Sequence, residues 1–287
     1  MVAKNLSVPL VKKFIPSRKS SSRKGDNGIV LVVGGSYIYH GAPILSSIAA
    51  LRCGTDLVYT CVPKINVTPT RAISPNLIVI PLVDQKLTLG AVKKLVGALP
   101  RNLHSATIGM GLAIQEKNSL LHLVKSLLDR DVRLSLDASA LIPEILPILA
   151  HKNVVVTPHA GEFKRLFGDV PSDSNLERIK LVEENALKHG ITILLKGPTD
   201  IISDGKITYL CEKNTPAMTV GGTGDVLSGL VAGLLSTNRN PLESAAAASY
   251  ICGLAGKEVQ EKLGLHITSM DLIDSIPSVM KPFDKII

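Results

Sequence analysis

Apolar positions along the 287-residue chain fall in short unbroken runs, separated by stretches with helical spacing. The runs "IVLVVGG" (29–35), "LVYTCV" (57–62), "LIVIPL" (77–82), "ATIGMG" (106–111), "RLSLDA" (133–138), "NVVVTP" (153–158) and "TILLKG" (192–197) each read as a buried strand. Runs without polar alternation suit strands covered on both faces, and the helical stretches between them suit right-handed crossovers of a parallel sheet. Segment 201–210, "IISDGKITYL", breaks the rhythm, because two strand-like runs flank Asp204-Gly205 in the manner of a hairpin.

Helices are predicted with equal economy. "GAPILSSIAALRCG" places Pro43 in a first turn and Gly54 at a stop. Past Asp225, the positions Leu227, Leu230, Val231, Leu234 and Leu235 repeat at i, i+3, i+4, i+7 and i+8, which is one helix face. A further helix opens at Pro241 and runs through "LESAAAASYICGLAGKEVQEKL", whose alanines permit close approach to a neighbour. The pattern predicts a single doubly wound α/β domain over 1–287, with an N-terminal arm, about 1–25, packing as an extra helix or sheet edge.

Composition changes this picture little. Apolar residues are 45% and charged residues 20%, a globular balance. No run approaches the ~20 apolar residues that cross a bilayer, and the N-terminal segment has no apolar export core. The expectation is a cytoplasmic protein with no membrane partner. Cys53, Cys61, Cys211 and Cys252 are scattered, without metal or disulfide spacing. Of the net charge of +8, seven positive charges belong to residues 1–25, which hold no acid. That is a local basic arm, and with 3% aromatics and no Trp a nucleic-acid partner is not expected. As an exposed extension, the arm's first ~20 residues are expected to be dispensable.

The chemistry concentrates in three stretches. In "TVGGTGDVLSG" (219–229), glycine amides precede a helix N-terminus, an arrangement that binds anions and suits phosphate. Asp225 would repel that phosphate unless it served the other reactant, as a base for an attacking hydroxyl. The plainer alternative is a tight turn at Gly222 and Gly224 with Asp225 as a helix cap, worth roughly 1 kcal/mol; three glycines and a threonine exceed what a cap requires. In "VVVTPHAGEFKRL" (154–166), His159 and Glu162 stand three apart at a helix start, equally compatible with capping and with function. In "LLKGPTDIISDG" (194–205), Lys196 ends an apolar strand and either reaches a phosphate or snorkels to solvent. There is no GxxxxGK[ST], and the glycine turns at 32–36 and 109–111 complete no dinucleotide fingerprint.

Taken together, these motifs resemble the ADP/ATP-dependent NAD(P)H-hydrate dehydratases of the ribokinase-like superfamily. The resemblance runs from "RKGDNGIVLVVGGS" and "GAPILSSIAALRCGTDLVYTCVP" through "SPNLIVIPL", "IGMGL" and "LDASAL". It continues with "TPHAGEFKRL", "LLKGPTDIISDG", "NTPAMTVGGTGDVLSGLVAGLL" and "LHITSMDLIDSIP", in order and over nearly the whole chain. It implies a three-layer fold with a mostly parallel central sheet. The implied activity is repair of the S epimer of NADH or NADPH hydrated at C6 of the nicotinamide, by phosphorylation of that hydroxyl and expulsion of phosphate. A vitamin or sugar kinase on the same fold is the alternative.

By the same resemblance, Asp225 is the catalytic base, and Ala42, Gly111, His159 and Asp225 match positions that contact the hydrated dinucleotide. Lys196, Gly197, Pro198, Thr199 and Asp200, with Gly224, match those that hold the AMP portion of ADP or ATP, while the amides of Gly222, Thr223 and Gly224 would face the transferred phosphoryl group. Glu162 resembles an acid that organises Mg²⁺ through water; direct metal ligands are not assigned. The resemblance further implies ADP as the favoured co-substrate, a homo-oligomer, and a separate NAD(P)H-hydrate epimerase as functional partner.

Overall fold

A computed structural model describes residues 3–172, 174–213 and 215–287; Asn214, which opens one of the quoted motifs, lies outside them. The strands are β1 (Lys4–Asn5), β2 (Ile29–Val33), β3 (Leu57–Pro63), β4 (Ile78–Leu82), β5 (Ser105–Ile108), β6 (Arg133–Leu136), β7 (Val154–Val156), β8 (Thr192–Leu195), β9 (Thr199–Ser203) and β10 (Thr208–Glu212). The longer helices are α1 (Val8–Phe14), α2 (Gly41–Arg52), α3 (Val67–Ile73), α4 (Leu89–Ala98), α5 (Lys117–Leu128), α6 (Leu146–Leu149), α7 (Ala160–Phe167), α8 (Asn175–His189), α9 (Thr223–Asn238), α10 (Pro241–Leu263) and α11 (Ser269–Met280). Each predicted run became a strand, although β4, at the sheet edge, buries only Leu82 instead of being covered on both faces, and the Asp204-Gly205 hairpin joins β9 to β10.

Among the described residues the strands form one sheet in the order β1-β10-β9-β8-β7-β6-β5-β2-β3-β4. From β8 to β4 every pairing is parallel; β9 runs antiparallel to both of its neighbours. Strand β2 shows why this is a three-layer fold. Ile29, Leu31 and Val33 join the core under α4, α5 and α8, while Val30 and Val32 face the opposite core against α2 and Ala232 of α9. All five are buried, as expected of a strand covered on both sides.

Two expectations change. Helix α9 was read as amphipathic, yet Val226 through Ser236 are all buried. It sits between the sheet and helices α2, α10 and α11, so small residues such as Gly229 and Gly233 can face neighbours that side chains would displace. The basic arm is not an exposed extension. β1 pairs with β10, Val11 is fully buried, and the Phe14 ring packs 5.5 Å from that of Tyr209. Asn238 and Lys285 donate to the carbonyls of Phe14 and Ile15, tying the arm to both α9 and the C-terminus. Burial of Val11, Phe14 and Ile15 contributes roughly 1.5–3 kcal/mol per side chain, so the premise that made the arm dispensable does not hold.

Candidate active site

Parallel strands deliver their C-terminal ends to one edge of a sheet, where ligands of such folds bind. Asp137 follows β6, Thr157-Pro158-His159 follows β7, and Lys196 follows β8. Lys196 Nζ lies 2.8 Å from Asp137 Oδ1 and 3.6 Å from Glu162 Oε2, with little of either acid exposed. Burial pulls the Lys196 ammonium down, but the charges of Asp137 and Glu162 outweigh it and the group is held above its usual range.

Asp225 stands at the N3 position of α9, and the helix cap is Gly222 instead, with no side-chain cap bond. The capping alternative for Asp225 therefore falls. Its carboxylate receives no hydrogen bond from the described residues, while its main-chain carbonyl accepts one from Ser46 of α2 at 2.7 Å. Burial raises its pKa to about 7; Asp137 and Glu162 push in the same direction and Lys196 opposes them. Asp225 differs from its two acidic neighbours in lacking a partner: Asp137 and Glu162 both lie against the Lys196 ammonium, whereas no hydrogen bond among the described residues reaches the Asp225 carboxyl.

The glycine loop has one strict demand, at Gly222. Gly222 has φ +94°, and a Cβ there would meet Ser269 Oγ at 2.6 Å and Leu45 at 2.7 Å. At Gly224 an added Cβ would meet only Lys196 Nζ, at an ordinary contact distance of 3.5 Å. Thr223 Oγ1 donates to the carbonyls of Met218 and Val220, and Ser269 Oγ to that of Gly221, fixing the loop. The first amides of α9 have no preceding helical turn to pair with and receive no side-chain cap, which is the condition an anion site requires.

A pocket of about 650 Å³ opens beside this loop, walled by Lys196, Gly197, Pro198, Thr223 and Gly224 together with Lys213, Thr215, Pro216, Met218, Thr219 and Leu227. The sequence signalled the first five. Asp200 does not reach the wall: it is fully buried beneath it, accepting from the Gly197 amide at 3.0 Å and from Ser249 at 2.7 Å. Thr199 opens β9 and likewise stays out of the wall. Ala42 and Gly111 come together, 3.3 Å apart for a Cβ built on Gly111, one helical turn before the Leu45 and Ser46 contacts with the glycine loop. His159 caps α7: its Nδ1 accepts from the amides of Gly161 and Glu162, while Glu162 accepts from the His159 amide at 2.9 Å. That capping box places the imidazole Nε2, 3.5 Å from Glu162 Oε1, toward solvent. Asp137 was missed, although an acid closing the apolar run "RLSL" was a signal; Lys213 carried none.

With its mostly parallel sheet covered by helices on both faces, this chain has the ribokinase-like fold. Its fold is shared with a ribokinase-like protein from Enterococcus faecalis (TM-score 0.83, 24% identity, 99% of this chain and 97% of that one). A crystal structure of the ADP/ATP-dependent NAD(P)H-hydrate dehydratase of Bacillus subtilis, grown with ATP and Mg²⁺, superposes at TM-score 0.86 with 26% identity over 99% of this chain and all of that one. The family model for NAD(P)H-hydrate dehydratase matches residues 30–278. The ADP-dependent (S)-NAD(P)H-hydrate dehydratase of Nitrosopumilus maritimus is 82% identical across the full length of both chains. A bifunctional NAD(P)H-hydrate repair enzyme of Pyrobaculum aerophilum is 43% identical over 93% of this chain, which spans about half of that protein. This chain belongs to the NAD(P)H-hydrate dehydratase family.

Proposed function

We propose that the chain restores NADH and NADPH from their S-configured C6 hydrates, with ADP as co-substrate. The carrying observation is Asp225, a carboxylate with a pKa of about 7 and no hydrogen-bond partner among the described residues, in the first turn of a helix whose glycine N-cap supplies no side-chain bond. A base titrating near neutrality is what proton transfer from a hydroxyl needs.

In this reading Asp225 accepts the C6 hydroxyl proton as that oxygen attacks the terminal phosphorus of ADP, and the bond to AMP breaks. The amides of Gly222, Thr223 and Gly224, with Lys196, stabilise charge on the transferring oxygens. Hydroxide is a poor leaving group and phosphate a good one. The ring nitrogen lone pair expels the phosphate, and loss of the neighbouring C5 proton restores the dihydronicotinamide. Ala42, Gly111 and His159 hold the hydrated dinucleotide; Lys196, Gly197 and Pro198 hold the nucleotide, with Thr199 and Asp200 supporting them from below.

Carboxylate oxygens are the donors Mg²⁺ takes, usually one or two beside phosphates and retained waters. Among the described residues no group of three His, Cys, Asp or Glu side chains forms a metal cage, and that set suits an ion carried in by the nucleotide. Glu162 would help hold it through water, and its chemistry there would be to neutralise phosphate charge. The reading extends to a cytoplasmic homo-oligomer served by a separate epimerase, the activity that supplies the S epimer; among the described residues no helix is long and apolar enough to cross a membrane.

The test is to supply hydrated NADH with ADP, then with ATP, and to follow dihydronicotinamide absorbance. Recovery with release of inorganic phosphate supports the proposal. A stable phosphorylated product, or no recovery with either nucleotide, refutes it.

A further inference from the structure

The far end of the 650 Å³ pocket holds a lysine that the motifs did not mark. Lys213 follows β10, and its amide donates to the Pro198 carbonyl at 3.1 Å, which pins it across the mouth of the β8–β9 turn. Its Nζ lies 2.6 Å from Asp200 Oδ2, with the Lys213 side chain 13% exposed and that of Asp200 not at all. Asp200 is fully engaged: Oδ1 takes the Gly197 amide, and Oδ2 takes the Ser249 hydroxyl and the Lys213 ammonium. Burial pulls Lys213 down, but Asp200 more than restores it, so the ammonium persists. An ammonium has three donors. Asp200 takes one, and no other acceptor among the described residues receives Nζ.

Distance decides what those spare donors meet. Lys196 and Gly224 mark the phosphate end, at β8 and the start of α9. Lys213 leaves the same sheet edge two strands away, through β9. Neighbouring strands lie roughly 4.8 Å apart, so the two lysines are separated by about 10 Å across the sheet. The same pocket is lined by the apolar Pro198, Pro216, Met218 and Leu227 and by Thr215, Thr219 and Thr223. A terminal phosphate at Lys196 puts the sugar and base against Lys213.

We infer that Lys213 is a nucleoside-recognition residue, donating to an acceptor atom on the sugar or base of the nucleotide, and that Asp200 is its positioning residue. This rests on reading the pocket as the nucleotide site. Asp200 thus serves the ligand twice without touching it, orienting the Gly197 amide at one end and the Lys213 ammonium at the other.

The test is calorimetric titration of the full chain with ADP and with AMP, neither of which needs the hydrated substrate. Lys213→Met should weaken both nucleotides by the same factor, roughly 10- to 100-fold for a hydrogen bond from a charged donor. AMP and ADP share the nucleoside, whereas a phosphate contact would penalise ADP more. Because Met strands the Asp200 charge, the double variant Asp200→Asn/Lys213→Met is the control. It removes both charges, keeps an acceptor for the Gly197 amide, and should recover melting temperature while affinity stays low. Unchanged affinity in Lys213→Met, a loss confined to ADP, or restored affinity in the double variant would overturn the inference. Tight Lys213-dependent ADP binding in a protein that repairs no hydrate would instead refute the proposed function and leave this inference standing.

Discussion

Two aspartates flank the nucleotide pocket without lining it, Asp200 fully buried and Asp225 half-buried, and the chain treats them in opposite ways. At the β8–β10 end, Asp200 is wholly enclosed and every nearby donor is aimed at it: the Gly197 amide, the Ser249 hydroxyl and the Lys213 ammonium. At the glycine-loop end, Asp225 receives no hydrogen bond from the described residues, faces Asp137 and Glu162, and its pKa rises to about 7. A satisfied carboxylate is a piece of architecture, because leaving any of its donors unpaired costs more than the bond gains. An unsatisfied one stores reactivity at a cost in stability, and sites of that kind are where function is found.

The hardest test of the contrast is Asp225→Asn. Turnover should fall by roughly 100- to 10,000-fold, the range over which general-base catalysis contributes, with calorimetric ADP affinity kept because the amide cradle remains. Ordinary turnover in this variant would dissolve the distinction between the two ends. Next in size is the loop itself. Gly222→Ala forces a Cβ into Ser269 and Leu45 from a left-handed backbone and should cost about 2 kcal/mol in chemical denaturation. Gly221→Ala meets open space and should stay within about 0.5 kcal/mol of the parent; equal costs at both positions would contradict the loop geometry.

How much of this was legible in the sequence follows from what each feature depends on. Strands β2, β5, β6, β7 and β8 were readable because they are parallel and buried on both faces, so hydrophobicity alone marks them. The glycine loop was readable because Gly222 is a local requirement of a left-handed backbone and a close approach. The buried surround of α9 was not, since small residues such as Gly229 read as weak helix positions until α2 is placed against them. Nor was the Asp137–Lys196 pair, which joins residues 59 apart, or the role of Lys213, which exists only once β9 and β10 fold back on β8. Local constraints show in sequence; partners brought together by topology do not.

A smaller effect sharpens the electrostatic half of the comparison. If Asp225 is the base, kcat/KM should rise with pH through about 7 as its carboxyl loses the proton. Asp137→Asn removes the strongest like charge acting on it and frees Lys196, so the rising limb should move to lower pH. A limb that stays in place would assign it to another group.

The smallest effect is the stability that Asp225 gives up. Its folded pKa of about 7 exceeds the ordinary 3.8, so between those values the native state holds more protons than the unfolded chain. Stability contributed by the neutral acid is complete below about pH 4 and drains away as pH rises through about 7. Asn at this position stays neutral throughout. The melting temperature of Asp225→Asn should therefore match the parent's near pH 4, draw ahead as pH rises, and lead by a few degrees on a plateau above pH 7. Other titrating groups are common to both proteins and cancel in the difference. The corresponding Asp200→Asn change, which trades a fully bonded carboxylate paired with Lys213 for a neutral group, should lower the melting temperature at neutral pH. A constant gap between Asp225→Asn and the parent from pH 4 to 8, or the same sign for both substitutions, would show that the two ends of the pocket are not electrostatically opposed.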